Sequence, residues 1–140
     1  MGGRKTSLRP GSPQDWLRHA ESDLALANLA LEREEILVEQ VCFHAQQAAE
    51  KAHKAVLIAR QQRFPPLHDL EQLLEVARQA HIALPSWSDD LLVLTPYAVE
   101  TRYPGYWEEI TATERDRAIG LAALTVEWAK LQITPASNTV

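Results

Sequence analysis

The stretch Phe43-His44-Ala45-Gln46-Gln47-Ala48-Ala49-Glu50-Lys51-Ala52-His53-Lys54-Ala55 decides the fold. With its flanks, it places Val41, Ala45, Ala48, Ala52, Ala55 and Ala59 at spacings of 4, 3, 4, 3 and 4, the signature of one helix face. The pattern predicts a helix over residues 37–62. Five of these six residues are alanine. Small side chains let another helix backbone come close, so the seam requires a shape-complementary partner, either the first helix or a second copy of the chain. Gln47, Glu50, Lys51 and Lys54 fall on the opposite face. There Glu50 and Lys54 form an i,i+4 pair, worth about a few tenths of a kcal/mol on a solvated helix.

Working toward the N-terminus, Ser12-Pro13-Gln14-Asp15 combines a hydroxyl cap, a proline in the first turn and an acid three residues after the cap. Leu17, Ala20, Leu24, Ala27 and Leu31 continue as one apolar stripe, predicting a helix over residues 13–33 with Trp16 at the core edge. Toward the C-terminus, Phe64-Pro65-Pro66 stops the second helix. Asp69-x-x-Gln72 opens a third helix, over residues 69–82, with Leu70, Leu73, Leu74 and Ala77 on its inner face. Leu84-Pro85-Ser86 is the next break. Residues 87–103 read either as two short turns, the second starting at Thr95-Pro96, or as one kinked segment. Tyr103-Pro104-Gly105-Tyr106 reads as a loop, and Thr111-Ala112-Thr113-Glu114 as a capping box. The last helix then runs to about Gln132, with Ile119, Ala122, Val126 and Ala129 widened by Leu121, Leu124 and Trp128.

No stretch alternates with period two for long enough to make a strand. The expected fold is all-α, an up-and-down bundle of about five helices over residues 13–132. A flexible N-terminal arm over 1–12 and a flexible C-terminal tail over 133–140 are expected to flank it.

Composition agrees. The 140 residues include 20 alanines and 19 leucines, against 16 valines, isoleucines and phenylalanines together. A net charge of -5, from 14 basic and 19 acidic residues, argues against a broad basic coat for nucleic acid or membranes. The single cysteine, Cys42, excludes an intrachain disulfide and reads as a small core residue. No apolar run reaches the roughly 18 residues of a membrane span. The start carries no hydrophobic leader, so a cytoplasmic location is expected. No glycine-rich phosphate loop is present. His44 and His53 lie nine residues apart, while His19, His68 and His81 are scattered, so neither a metal nor a cofactor is expected.

A second constellation, Tyr97-Ala98-Val99-Glu100-Thr101-Arg102-Tyr103-Pro104-Gly105, follows the first. His68-Asp69-Leu70 and the Leu73-Leu74 pair lie between the two. In this order the chain resembles the HEPN domain family over roughly residues 13–131. The resemblance implies a HEPN-like bundle that homodimerises. It further implies pairing with a minimal nucleotidyltransferase-like protein in a two-gene, toxin–antitoxin-like system, with nucleotide or RNA as ligand.

Many family members are metal-independent ribonucleases, whose motif is an arginine followed after four to six residues by a histidine. The histidine moves the proton of a ribose 2′-hydroxyl and the arginine holds the phosphorane charge. Arg102 stands at the matching place, but Trp107, Glu108 and Glu109 follow it where the histidine would be. Arg63 and His68 fit the spacing, though at the turn between the second and third helices.

The expected ligand-binding residues are therefore Arg102, Tyr97, Tyr103, His44 and Gln47. If the protein is an enzyme, Arg102 is the catalytic residue, with Glu108 or His68 as base. Three readings stand: a nucleotidyltransferase companion, a ribonuclease toxin, and a purely structural helical dimerisation module.

Overall fold

A computed structural model describes residues 11–66, 69–98 and 108–133. It contains α1 (Pro13–Leu31), α2 (Val38–Ala59), α3 (Leu70–Gln79), a 3-10 helix (Ser88–Ala98) and α4 (Ala112–Ile133). No strand occurs among the described residues. No helix among them is long and apolar enough to cross a membrane. Most of the expected arm and tail lies outside the described residues.

Both capping boxes form. The Ser12 hydroxyl accepts from the Asp15 amide at 3.0 Å, and the Asp15 carboxylate accepts from the Ser12 amide at 3.2 Å. Thr111 and Glu114 repeat this exchange at the start of α4, at 3.0 and 2.8 Å. Asp69 caps α3 by accepting from the Glu71 amide at 3.0 Å. Each cap satisfies amides that have no partner within the helix.

The second and third helices end earlier than their prolines require. After Ala59 the chain turns through Gln61 at φ 59, with Gln62 donating to the Leu57 carbonyl at 2.9 Å and Gln61 to that of Ile58 at 3.0 Å. After Gln79 it turns through His81 at φ 61, with Ile82 donating to the Ala77 carbonyl and His81 to that of Arg78, both at 3.0 Å. These are two Schellman motifs, with glutamine and histidine where glycine is the usual occupant. The left-handed residue closes the helix whether or not a proline follows.

Beyond the Leu84-Pro85-Ser86 break, Ser88–Ala98 form one continuous 3-10 helix. Ser88, Leu91 and Leu94 are buried and Tyr97 is half-buried, all at spacings of three. A three-residue period places them on one face only when the helix has three residues per turn.

α2 is the centre of the molecule, packing against α1, α3, α4 and the 3-10 helix. Its alanine seam is used up inside the protomer: Ala45, Ala48, Ala52 and Ala55 are fully buried, and only Ala59 is exposed. The face expected to be solvated is also buried, with Glu50 only 1% exposed and Gln46, Gln47 and Lys54 enclosed beside it. With neighbours on nearly every side, α2 keeps little solvent face, and of the expected outer residues only Lys51 stays half-buried. On α4, Leu124 is half exposed rather than on the inner face, and Thr125 is enclosed in its place, its hydroxyl donating to the Leu121 carbonyl at 2.7 Å.

Candidate ligand cleft between the first two helices

The chemistry of the described residues gathers along the seam between α1 and α2. On α1, Trp16, His19 and Asp23 follow at spacings of 3 and 4, one row beside the apolar stripe. On α2, His44 and Lys51 lie seven residues apart, two turns of one face. Asp23 joins the two helices, its Oδ1 lying 3.0 Å from His44 Nδ1 and its Oδ2 accepting from Lys51 Nζ at 2.7 Å. The carboxylate can only accept, so Nδ1 of His44 is the donor in this pair.

Beneath this seam a polar chain runs inside α2. Gln47 donates to Gln46 at 2.8 Å, Gln46 donates to Glu50 Oε1 at 3.0 Å, and Lys54 Nζ donates to Glu50 Oε2 at 2.7 Å. The Lys54 ammonium lies 5.4 Å from the centre of the Trp16 ring and 5.5 Å from that of Phe64. Those two rings meet edge-to-face at 6.4 Å. Lys54 thus ties the first turn of α1, the middle of the molecule and the loop after α2 into one contact. Trp16 is held firmly by one side of its ring, while its buried Nε1 has no hydrogen-bond partner.

A hollow of about 330 Å³ opens beside Trp16, bordered by Gly11, Asp15, Trp16, His19 and Lys51. A second hollow of about 220 Å³ adjoins it, bordered by Arg18, His19 and Ser22. His19 borders both. Hydrogen bonds from the Ser12 amide and hydroxyl hold the Asp15 carboxyl below its usual range, with Arg18 adding to the effect. The first hollow therefore offers an aromatic wall, a fixed carboxylate and an ammonium. The second offers a guanidinium, an imidazole and a hydroxyl.

Among the expected site residues, the structure places His44 on this seam, bonded to Asp23. Gln47 is turned into the buried chain instead and does not border either hollow. Tyr97 packs half-buried against the core at the end of the 3-10 helix, and Glu108 is exposed before α4. Arg102, Tyr103 and His68 lie outside the described residues. The reading of single residues missed Asp15, His19, Asp23 and Lys51 as a group. The row Trp16-His19-Asp23 was visible as a spacing, but its partners on α2 follow only from the register between the helices. No group of three or more His, Cys, Asp or Glu that could hold a metal occurs among the described residues.

The HEPN domain model matches residues 13–132. The chain is similar to TT1696 from Thermus thermophilus, at 28% identity and a TM-score of 0.73, over 86% of this chain and 97% of that one. It is also similar to ST0689, an archaeal HEPN homologue, at 27% identity and a TM-score of 0.60, over 89% of this chain and 100% of that one. No curated protein matches. The fold is an all-α helical bundle of the HEPN type, and the chain belongs to the HEPN domain family.

Proposed function

We propose that this protein is a nucleotide-binding HEPN subunit that homodimerises and works as the companion of a minimal nucleotidyltransferase-like protein in a two-gene, toxin–antitoxin-like system. The observation that carries the nucleotide part is the Trp16 cleft. A flat base can stack on a ring that Phe64 and Lys54 already hold in place, so little ordering remains to be done on binding. Lys51 at the rim, held by Asp23, adds a positive charge to the cleft that draws in an anionic ligand.

The companion role is supported by the HEPN domain match over residues 13–132. Leu26 and Leu29 on α1 and Leu124 and Leu131 on α4 are exposed and available to a protein partner. Arg102, with Tyr97 and Tyr103, belongs to this reading as a second contact to nucleotide or RNA.

Calorimetric titration with adenosine 5′-monophosphate tests the nucleotide part. Saturable binding is expected, falling at least tenfold in Trp16→Leu with the variant's circular dichroism unchanged. Binding unaffected by that substitution removes the cleft from the reading. The ribonuclease reading is carried by Arg102 alone. It calls for RNA cleavage by the purified protein that disappears in Arg102→Ala, and it fails if the unsubstituted protein leaves RNA intact.

A further inference from the structure

We propose that the paired hollows on α1 select a nucleoside monophosphate whose base carries an exocyclic amine: Trp16 stacks the base, Asp15 accepts from the amine, and Arg18 with Ser22 holds the phosphate. The proposal rests on the nucleotide-binding reading above and adds to it which base is taken and which way the ligand lies.

Three observations carry it. The hollow beside Trp16 contains a carboxylate held ionised by Ser12, which can accept but not donate. Its Oδ2 takes the Ser12 amide at 3.2 Å, and its Oδ1 takes Arg18 Nη2 at only 3.4 Å, the far limit of a hydrogen bond. A carboxylate has about four lone-pair sites, so acceptor capacity remains. An amine of adenine or cytosine satisfies that capacity. The carbonyl oxygen of hypoxanthine or uracil at the same place sets one acceptor against another.

The neighbouring hollow is bordered by Arg18 and Ser22, one turn apart on the same face of α1. Arg18 is exposed, and its weak contact to Asp15 is the one a phosphate displaces. Finally, both hollows lie against His19, and the proposed ligand spans the pair across that side chain. From Asp15 to Ser22 the helix rises about 10 Å, the reach of a mononucleotide from base amine to phosphate.

The test compares binding of adenosine 5′-monophosphate, inosine 5′-monophosphate and adenosine to the full chain, to Asp15→Asn and to Arg18→Gln. The full chain should prefer the adenine nucleotide over the hypoxanthine nucleotide about tenfold, the worth of one hydrogen bond to a charged acceptor. Cytidine and uridine monophosphates should show the same order. Asp15→Asn should bring the adenine-to-hypoxanthine ratio close to one. Arg18→Gln should weaken the adenine nucleotide but not adenosine. Equal affinity for the adenine and hypoxanthine nucleotides in the unsubstituted chain overturns the assignment of Asp15 while leaving nucleotide binding intact. A chain that binds none of the three ligands overturns the nucleotide reading itself.

Discussion

His53 lies with its ring against Trp128, the centroids 4.8 Å apart, and burial lowers its pKa to about 4 from an ordinary 6.5. The native ring is neutral, whereas the unfolded chain takes up the proton near 6.5. Between these values the unfolded state binds more protons, so stability rises with pH. The stabilisation is fully present above pH 6.5 and falls by about 3 kcal/mol as pH drops toward 4. Urea titrations across that window should show this slope in the native sequence and a flatter one in His53→Phe. Asp15, held below its ordinary 3.8, adds a loss of the same sign only at lower pH.

Lys54 and Glu50 provide a second measurement at the scale of single residues. Lys54→Met removes the ammonium that lies 2.7 Å from the enclosed Glu50 carboxylate and should cost about 3–5 kcal/mol. Glu50→Gln introduced alongside should return a large part of that loss, read again by urea titration. In the sequence this pair has the spacing of a surface salt bridge. Its burial depends on what packs over α2, and no local pattern carries that information.

Among the elements, the helix starts were the most legible parts. Ser12, Asp69 and Thr111 all cap as their sequence patterns indicate, because a cap is a local bond between residues two or three apart. The helix ends were less legible, since Gln61 and His81 adopt a left-handed conformation that their side chains do not favour. That conformation costs about 1–2 kcal/mol for a residue with a Cβ. His81→Gly should therefore raise stability by about 1 kcal/mol in thermal or chemical unfolding. The alanine seam makes the converse prediction. Ala52→Leu forces a larger side chain into a fully buried position and should cost about 1–3 kcal/mol. The same seam left its partner open in the sequence, because small residues specify close approach without specifying to what. The packing of α2 on its neighbours within the chain answers that question.

At the scale of the whole molecule, the bundle was legible from periodicity and composition, and the family from two motifs. The cleft was not, because it lies between helices whose register emerges only on folding. With the seam enclosed, the proposed homodimer has to use other surfaces. Light scattering of the purified protein should give twice the chain mass, and co-expression should recover a stable complex with a minimal nucleotidyltransferase-like protein. Leu29→Lys and Leu131→Lys, both on exposed positions, should weaken one of these assemblies without unfolding the chain. A monomer at micromolar concentration counts against the homodimer.

If Trp16 is the floor of a nucleotide site, its own indole must respond to the ligand. The four tryptophans of the chain each carry one indole N–H. Their resonances in a ¹⁵N-labelled sample, assigned by single substitutions, can be followed as adenosine 5′-monophosphate is added. The Trp16 signal should shift progressively to a saturated position while that of the enclosed Trp128 stays in place. A saturable response at another tryptophan with the Trp16 signal unmoved would contradict a nucleotide site at Trp16.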